Sequence, residues 1–219
     1  TGISLASAAA KLGCECVIIM PGNMSRQRKQ MMKAFGATII EVGDNDFQAA
    51  ISERDRILSN SPTAWAPMQF ENLLNIECHY ETTAQEIYMQ SLQENLKWCA
   101  YVHGAGTGGT MMGVKKYIDF KQLGVECILT VPAEPASEHG IQGINDGADF
   151  LLDKTLMDHT FKVKTSDAIS RMKEFAKTHG LLVGISSGAN LIAAELYAQK
   201  TSTDGIIITM LCDRGERYL

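Results

Sequence analysis

No apolar run in the 219 residues approaches the roughly 20 that carry a helix across a bilayer, and no charged-then-apolar segment opens the chain. Basic residues are not in excess. Twenty Lys and Arg stand against 25 Asp and Glu, a net charge of −5, which argues against a surface for nucleic acid or anionic lipid. Low-complexity tracts and internal repeats are missing, and with 45% hydrophobic and 21% charged residues the composition excludes intrinsic disorder. None of the six cysteines falls into a zinc or redox spacing; Cys14-x-Cys16, the nearest pair, would share one face of a strand, and buried, reduced thiols are the expected reading. No Ser-His-Asp or Cys-His order stands out either.

What is present is an alternation of short β-branched runs and helical stretches. At about 150 residues per domain the length allows one large domain or one and a half. Ile3–Leu12 reads as a helix already in progress at the first residue and stopped by Gly13, so an upstream piece is expected to be absent. Strands are expected at 16–20, 37–42, 64–67, 100–103, 126–131, 161–164 and 205–211. Helices are expected at 25–35 (capped by Ser25), 47–58, 77–92, 110–120, 166–179 (capped by Ser166, stopped by Gly180) and 187–199. Continuous apolar strands alternating with helices predict an α/β fold of mostly parallel sheets covered on both faces. The best boundaries between two lobes are 59–63 and 72–75.

Four segments carry chemistry. The strongest is Gly104-Ala105-Gly106-Thr107-Gly108-Gly109-Thr110, between a strand and a helix. Glycines admit an anion close to the backbone, a helix start presents N–H donors, and threonines add hydroxyls, so a phosphate is the natural guest. The lysine of the nucleoside-triphosphate loop is missing, and although Gly104-x-Gly106-x-x-Gly109 fits the dinucleotide count, Glu126 is a weak ribose partner. The second is Gly184-Ile185-Ser186-Ser187-Gly188, where the serines either cap a helix or offer a hydroxyl to a ligand. The third is Gln69-Phe70-Glu71-Asn72 followed by His79-Tyr80-Glu81-Thr82-Thr83, in which His79 and Thr83 share a helix face. The fourth is Cys212-Asp213-Arg214-Gly215-Glu216-Arg217-Tyr218-Leu219. It follows the last strand and lies, by the strand-end rule, near the same crevice as the glycine loop, unless it is simply a solvated turn. His103, just before the loop, is a lesser candidate for approaching a phosphate.

In this order these segments, with Met20-Pro21-Gly22-Asn23-Met24-Ser25, Lys33-Ala34-Phe35-Gly36-Ala37, Glu86-Ile87 and His139-Gly140-Ile141-Gln142-Gly143-Ile144, resemble the cysteine synthase (O-acetylserine sulfhydrylase) family. These are pyridoxal-phosphate (PLP) enzymes of fold type II, tryptophan-synthase-β-like and related to cystathionine β-synthase, and the likeness runs over nearly the whole chain. The Cys212-Asp213-Arg214-Gly215 ending looks more like the B branch, the Ile141–Ile144 loop more like the A branch.

The resemblance implies a two-lobed fold, with residues 1–70 the remnant of a smaller movable lobe and 71–219 a larger, phosphate-binding one. Gly106, Thr107, Gly108, Gly109 and Thr110 would hold the cofactor phosphate. Ser186 would lie near the pyridine ring, with Cys212 its rival and Asp213 beside it. Thr1, Gly2, Gln69 and Phe70 would take the substrate carboxylate side, and Gly143 the amine. The Schiff-base lysine of the family lies upstream of Thr1, as does most of the loop of which Thr1-Gly2 remain, and the 132–139 segment is shorter than in the A branch. The implied reaction is β-replacement of O-acetylserine by sulfide to give cysteine. A related β-synthase or lyase using serine, threonine, homocysteine or O-phosphoserine, or a binding protein without catalysis, are the alternatives. A cytoplasmic homodimer, with a serine acetyltransferase tail as peptide partner and no metal, is implied on the same grounds.

Overall fold

The computed structural model describes residues 1–144, 149–202 and 204–218. Leu219, the end of the last motif, lies outside them. The chain divides into two compact units, Thr1–Met68 with Arg217–Leu219, and Gln69–Glu216. The division at Met68/Gln69 falls between the two windows expected for it.

In the first unit, α1 (Gly2–Leu12) ends on Gly13 at φ 67°, a left-handed turn that glycine adopts without strain. β1 (Val17–Pro21) and β2 (Thr38–Val42) run parallel, joined by α2 (Arg26–Ala34), and α3 (Phe47–Asn60) packs on β1. Ser25 caps α2 as expected, its side chain accepting from the Arg28 N–H. A small core of Ala6, Met32 and Ala37, packed by Ile3, Ile18, Met20 and Ile39, holds the layers together.

The second unit contains α4 (Leu74–Glu81), α5 (Thr83–Gln93), β3 (Trp98–Gly104), α6 (Gly109–Lys121), β4 (Glu126–Pro132), β5 (His159–Val163), α7 (Thr165–His179), α8 (Ile185–Lys200) and β6 (Ile206–Thr209). Its four strands are all parallel, in the order β5-β4-β3-β6. Alternation along β3 sends Tyr101 into one core with Met111, Val114, Cys127 and Leu129, and Ala100 and Val102 into the other with Ile128, Ala189 and Ala193. Both faces of the sheet are therefore covered, α4 packing on α6 on one side and α7 on α8 on the other.

Several sequence-based expectations are corrected. Residues 64–67 form no strand: Ala64 closes a turn back to Ser61, Trp65 is exposed, and Pro67 has no N–H for a ladder. The helix expected over 77–92 is two helices. Thr82 leaves helical geometry at φ −118°, ψ −78°, while its Oγ1 donates to the Cys78 carbonyl at 2.6 Å. Ser166 lies inside α7 rather than capping it; Lys164 is the N-cap residue, and the Thr165 N–H is taken by Glu134 at 2.9 Å. β6 is shorter than 205–211, and β1 begins after Cys14 and Cys16, so that pair shares no strand face. Only Cys127 is a buried cysteine; Cys14, Cys78 and Cys212 are exposed.

Candidate functional site

β3 ends at Gly104, opposite Thr130 of β4, and the chain turns at once into α6. The turn is shaped by close approaches that exclude side chains. A Cβ on Gly106 would lie 2.6 Å from the Gly143 carbonyl oxygen, and one on Gly108, at φ +92°, would lie 2.5 Å from the Leu152 nitrogen. The first ladder bond of α6 runs from Met112 N–H to Gly108 O at 2.9 Å. Helix geometry leaves the N–H groups of Gly109, Thr110 and Met111 ahead of that ladder, a donor set with a positive dipole end.

Two polar side chains of α4 hold the loop's hydroxyls. Asn75 Nδ2 donates to Thr107 Oγ1 at 3.0 Å and to the Gln69 carbonyl at 2.9 Å, and Gly109 N–H reaches the same Thr107 oxygen at 3.3 Å. His79 bridges two threonines, Nδ1 to Thr83 Oγ1 at 2.9 Å and Nε2 to Thr110 Oγ1 at 3.0 Å. Burial lowers its pKa, so the ring is neutral near pH 7 and fixes Thr110 without adding charge.

The strand ends beside this loop carry the second and fourth segments. Residues 182–184 and 213–215 are laced antiparallel: Gly184 N–H donates to Asp213 O at 2.8 Å, Gly215 N–H to Leu182 O at 3.0 Å, and Val183 bridges Arg214. Both serines lie in the first turn of α8, behind the N-cap Gly184. Ser187 is consumed by the fold, its Oγ accepting from Cys212 N–H at 3.0 Å, whereas Ser186 lies beside the Cys212 thiol and favours its ionised form. Cys212 is exposed as a residue, but its sulfur is turned inward toward Ser186, Asn190 and the Met210 carbonyl, and burial pushes the thiol up to about 11. It is a neutral group at physiological pH.

His103 is buried at the end of β3, and burial, with His79 nearby, holds it down at about 4. It is thus a neutral ring and supplies no cation to a phosphate. Glu126 sits at the other end of the sheet, at the start of β4, accepting from Tyr197 Oη at 2.9 Å and pairing with His159 at 3.2 Å. Parallel strands place it away from the glycine loop, which removes the dinucleotide reading. A cavity of about 360 Å³ at the start of β3, lined by Tyr88, Leu92, Leu96, Trp98, Leu123 and Val125, is also remote from the loop.

The structure brings Gly106–Thr110, Gln69, Gly143, Ser186, Cys212 and Asp213 into the second unit; Phe70 packs there against Phe150, the rings tilted by 31° with centroids 4.3 Å apart. Thr1 and Gly2 belong to the first unit, at the start of α1. Two residues escaped the sequence reading. Asn75 gives no signal short of the fold. Asn190 gives one: asparagine is unfavourable inside a helix, and here it stands four residues after Ser186. Among the described residues no cluster fits a metal ion, and no helix is long and apolar enough to cross a membrane.

The chain is similar to known proteins over its whole length. The family described as pyridoxal-phosphate dependent enzyme matches residues 1–213. Cysteine synthase B of Campylobacter jejuni is 40% identical over 233 residues, covering all of this chain and 75% of that protein. The O-acetylserine dependent cystathionine beta-synthase of Bacillus subtilis is 33% identical, covering all of this chain and 73% of that protein. Among solved structures, a hydrogen sulfide-producing enzyme of Fusobacterium nucleatum superposes with a TM-score of 0.90 at 35% identity, over all of this chain and 68% of that one. The cysteine synthase of Entamoeba histolytica does so at 0.86 and 32%, over all of this chain and 67% of that one.

Proposed function

The chain belongs to the pyridoxal-phosphate-dependent enzyme family, with an α/β architecture of fold type II, and from that premise we propose that it serves cysteine formation by β-replacement of O-acetylserine with sulfide. The observation that carries the proposal is the convergence, in one unit, of a backbone phosphate cradle at the start of α6 with a neutral Ser186–Cys212 pair at the start of α8. The residues fit PLP. Gly109, Thr110 and Met111 present N–H groups to a phosphate, Thr107 and Thr110 add hydroxyls held by Asn75 and His79, and Ser186 and Cys212 present uncharged polar groups to a ring nitrogen.

When bound, PLP supplies the electron sink that lets a β-substituent leave the substrate. The chain's contribution is positioning. Neutral partners at the ring nitrogen interact without forcing a full positive charge on it, which favours direct β-elimination over deeper carbanion chemistry. Burial, with a smaller contribution from the Asp213 charge beside it, keeps the cysteine protonated. Gln69 and Phe70 are the candidates for the substrate carboxylate, and the Gly143 backbone for the amine.

The relatives include both cysteine synthases and an O-acetylserine dependent cystathionine β-synthase, so the choice of sulfur donor supports two readings of one site. Protein incubated with PLP, reduced with borohydride and peptide-mapped tests the cofactor assignment. PLP is expected to bind with its phosphate on the glycine loop, and no lysine within 1–219 is expected to carry the label, because the resemblance implies a family lysine outside these residues. A site-specific label inside 1–219, or no PLP binding at all, overturns this assignment. Assays of the full protein with O-acetylserine plus sulfide, against O-acetylserine plus homocysteine or serine plus homocysteine, then separate cysteine formation, the expected activity, from cystathionine formation. A homodimer and a serine acetyltransferase tail as partner belong to the same proposal.

A further inference from the structure

Asn190 is fully buried on α8 and is placed where two neighbouring strands, β3 and β6, end. Its Oδ1 accepts from the Gly104 N–H, at the last residue of β3, at 2.8 Å. Its Nδ2 donates to the Met210 carbonyl just past β6 at 3.0 Å and lies 3.3 Å from His103 Nδ1 and 3.6 Å from Cys212 Sγ. The assignment of oxygen and nitrogen is over-determined: a backbone N–H faces one atom and a backbone carbonyl the other, so a flipped amide would oppose donor to donor and acceptor to acceptor. With one Nδ2 hydrogen on Met210, the second is shared by the imidazole and the sulfur.

We propose that Asn190 is a positioning residue, whose single amide fixes the proton of His103 on Nε2 and holds the Cys212 sulfur at the floor of the cofactor site. The logic is donor counting. Nδ2 has no lone pair to offer, so His103 Nδ1 must accept, and a neutral imidazole that accepts at Nδ1 carries its hydrogen at Nε2. The same amide hydrogen favours electron density on the sulfur, which draws Cys212 toward Asn190. Other groups facing His103 are His79 from α4 and Tyr101 from β3 itself, with ring centroids 6.0 Å apart; neither forces the opposite tautomer. The meaning given to Cys212 rests on the cofactor reading above, whereas the tautomer of His103 does not.

The first test needs no variant. The chain has five histidines, so imidazole nitrogen and carbon NMR shifts assigned with His103→Gln identify its tautomer. The Nε2–H form is expected from pH 5 to 8; an Nδ1–H form or an imidazolium in that range overturns the proposal. The second test uses Asn190→Asp, which keeps shape and the acceptor for Gly104 but replaces the donor with an acceptor. His103 should then titrate at least one unit higher, and iodoacetamide labelling of Cys212, read by peptide mass spectrometry against exposed Cys14 and Cys78, should slow several-fold at pH 8. A residue that only braces the fold would loosen the site and speed the labelling, so faster or unchanged labelling overturns the proposal. Failure of PLP to bind the wild-type chain leaves these outcomes intact and falls on the cofactor reading instead.

Discussion

Two glycine-flanked turns lead into helices in this protein, and they use the same residue types for opposite purposes. In Gly104–Thr110 the glycines clear the way to backbone N–H groups, and the hydroxyls are steadied from behind by Asn75 and His79. In Gly184–Gly188 the glycine lets two helices meet: a Cβ on Gly188 would lie 2.2 Å from the Ala168 carbonyl oxygen of α7. There one hydroxyl is spent on the chain's own tail, Ser187 on the Cys212 N–H, and the other, Ser186, lies beside the Cys212 thiol. The first turn is built to receive an anion through its backbone, the second to fix side chains. A glycine-serine-threonine composition alone does not tell which.

The sharpest way to break the comparison is to add one methyl group to each turn. Gly188→Ala presses on backbone that cannot swing aside, and is expected to cost about 3 kcal/mol of stability, at the upper end of overpacking, with PLP affinity changed little in the folded fraction. Gly108→Ala meets both a positive φ and the Leu152 nitrogen, and is expected to weaken PLP binding about 100-fold while unfolding shifts less. Urea denaturation and cofactor titration on both variants check the crossing; equal losses of both quantities in both variants would erase the distinction.

A pH effect of somewhat smaller size comes from the boundary between the turns. His103 is held at about 4 when folded against 6.5 for the free side chain, so the unfolded chain binds more protons in that window. Its contribution is fully present above pH 6.5 and is lost as pH falls toward 4. Between pH 7 and 5 this amounts to about 2 kcal/mol, and the slope should flatten in His103→Gln when denaturant midpoints are compared across pH.

The glycine loop was legible in the sequence because its chemistry is backbone chemistry: glycines before a helix advertise it without any tertiary partner. The parallel α/β order was legible from continuous apolar runs such as Val17–Met20 and Ile206–Ile208. The break at Thr82 was not, because residues 77–92 keep helical composition through it and the change lies in the Thr82 backbone angles, φ −118° and ψ −78°. The stretch at 64–67 misled for the opposite reason: its residues favour extension, but a strand exists only with a ladder partner. Within the site, Thr107 and Thr110 could be named, yet their holders, Asn75 and His79, come from a helix about 30 residues earlier that only packing against α6 brings close.

A finer test asks whether the hydroxyls of the first turn matter to the ligand rather than to the fold. Thr110→Val removes one donor and frees His79 Nε2, and is expected to lower PLP affinity about tenfold, the worth of one hydrogen bond to a charged group. His79→Gln, which can still reach Thr110, should lose less.

The smallest effect separates the two adjacent serines of the second turn. Ser187→Ala leaves the Cys212 N–H without its acceptor at a place where solvent reaches the residue, so the loss is expected at about 1 kcal/mol, seen as a lower urea midpoint with an unchanged slope. Labelling of Cys212 should barely change, because it is Ser186 rather than Ser187 whose hydroxyl favours the thiolate. Ser186→Ala should do the reverse. The hydroxyl that stabilises the thiolate is removed, the thiol pKa rises further above about 11, and iodoacetamide labelling slows while the urea midpoint hardly moves. If Ser187→Ala instead controlled labelling, the division of labour between the two hydroxyls would be inverted, and Ser187, not Ser186, would be the residue facing the cofactor ring.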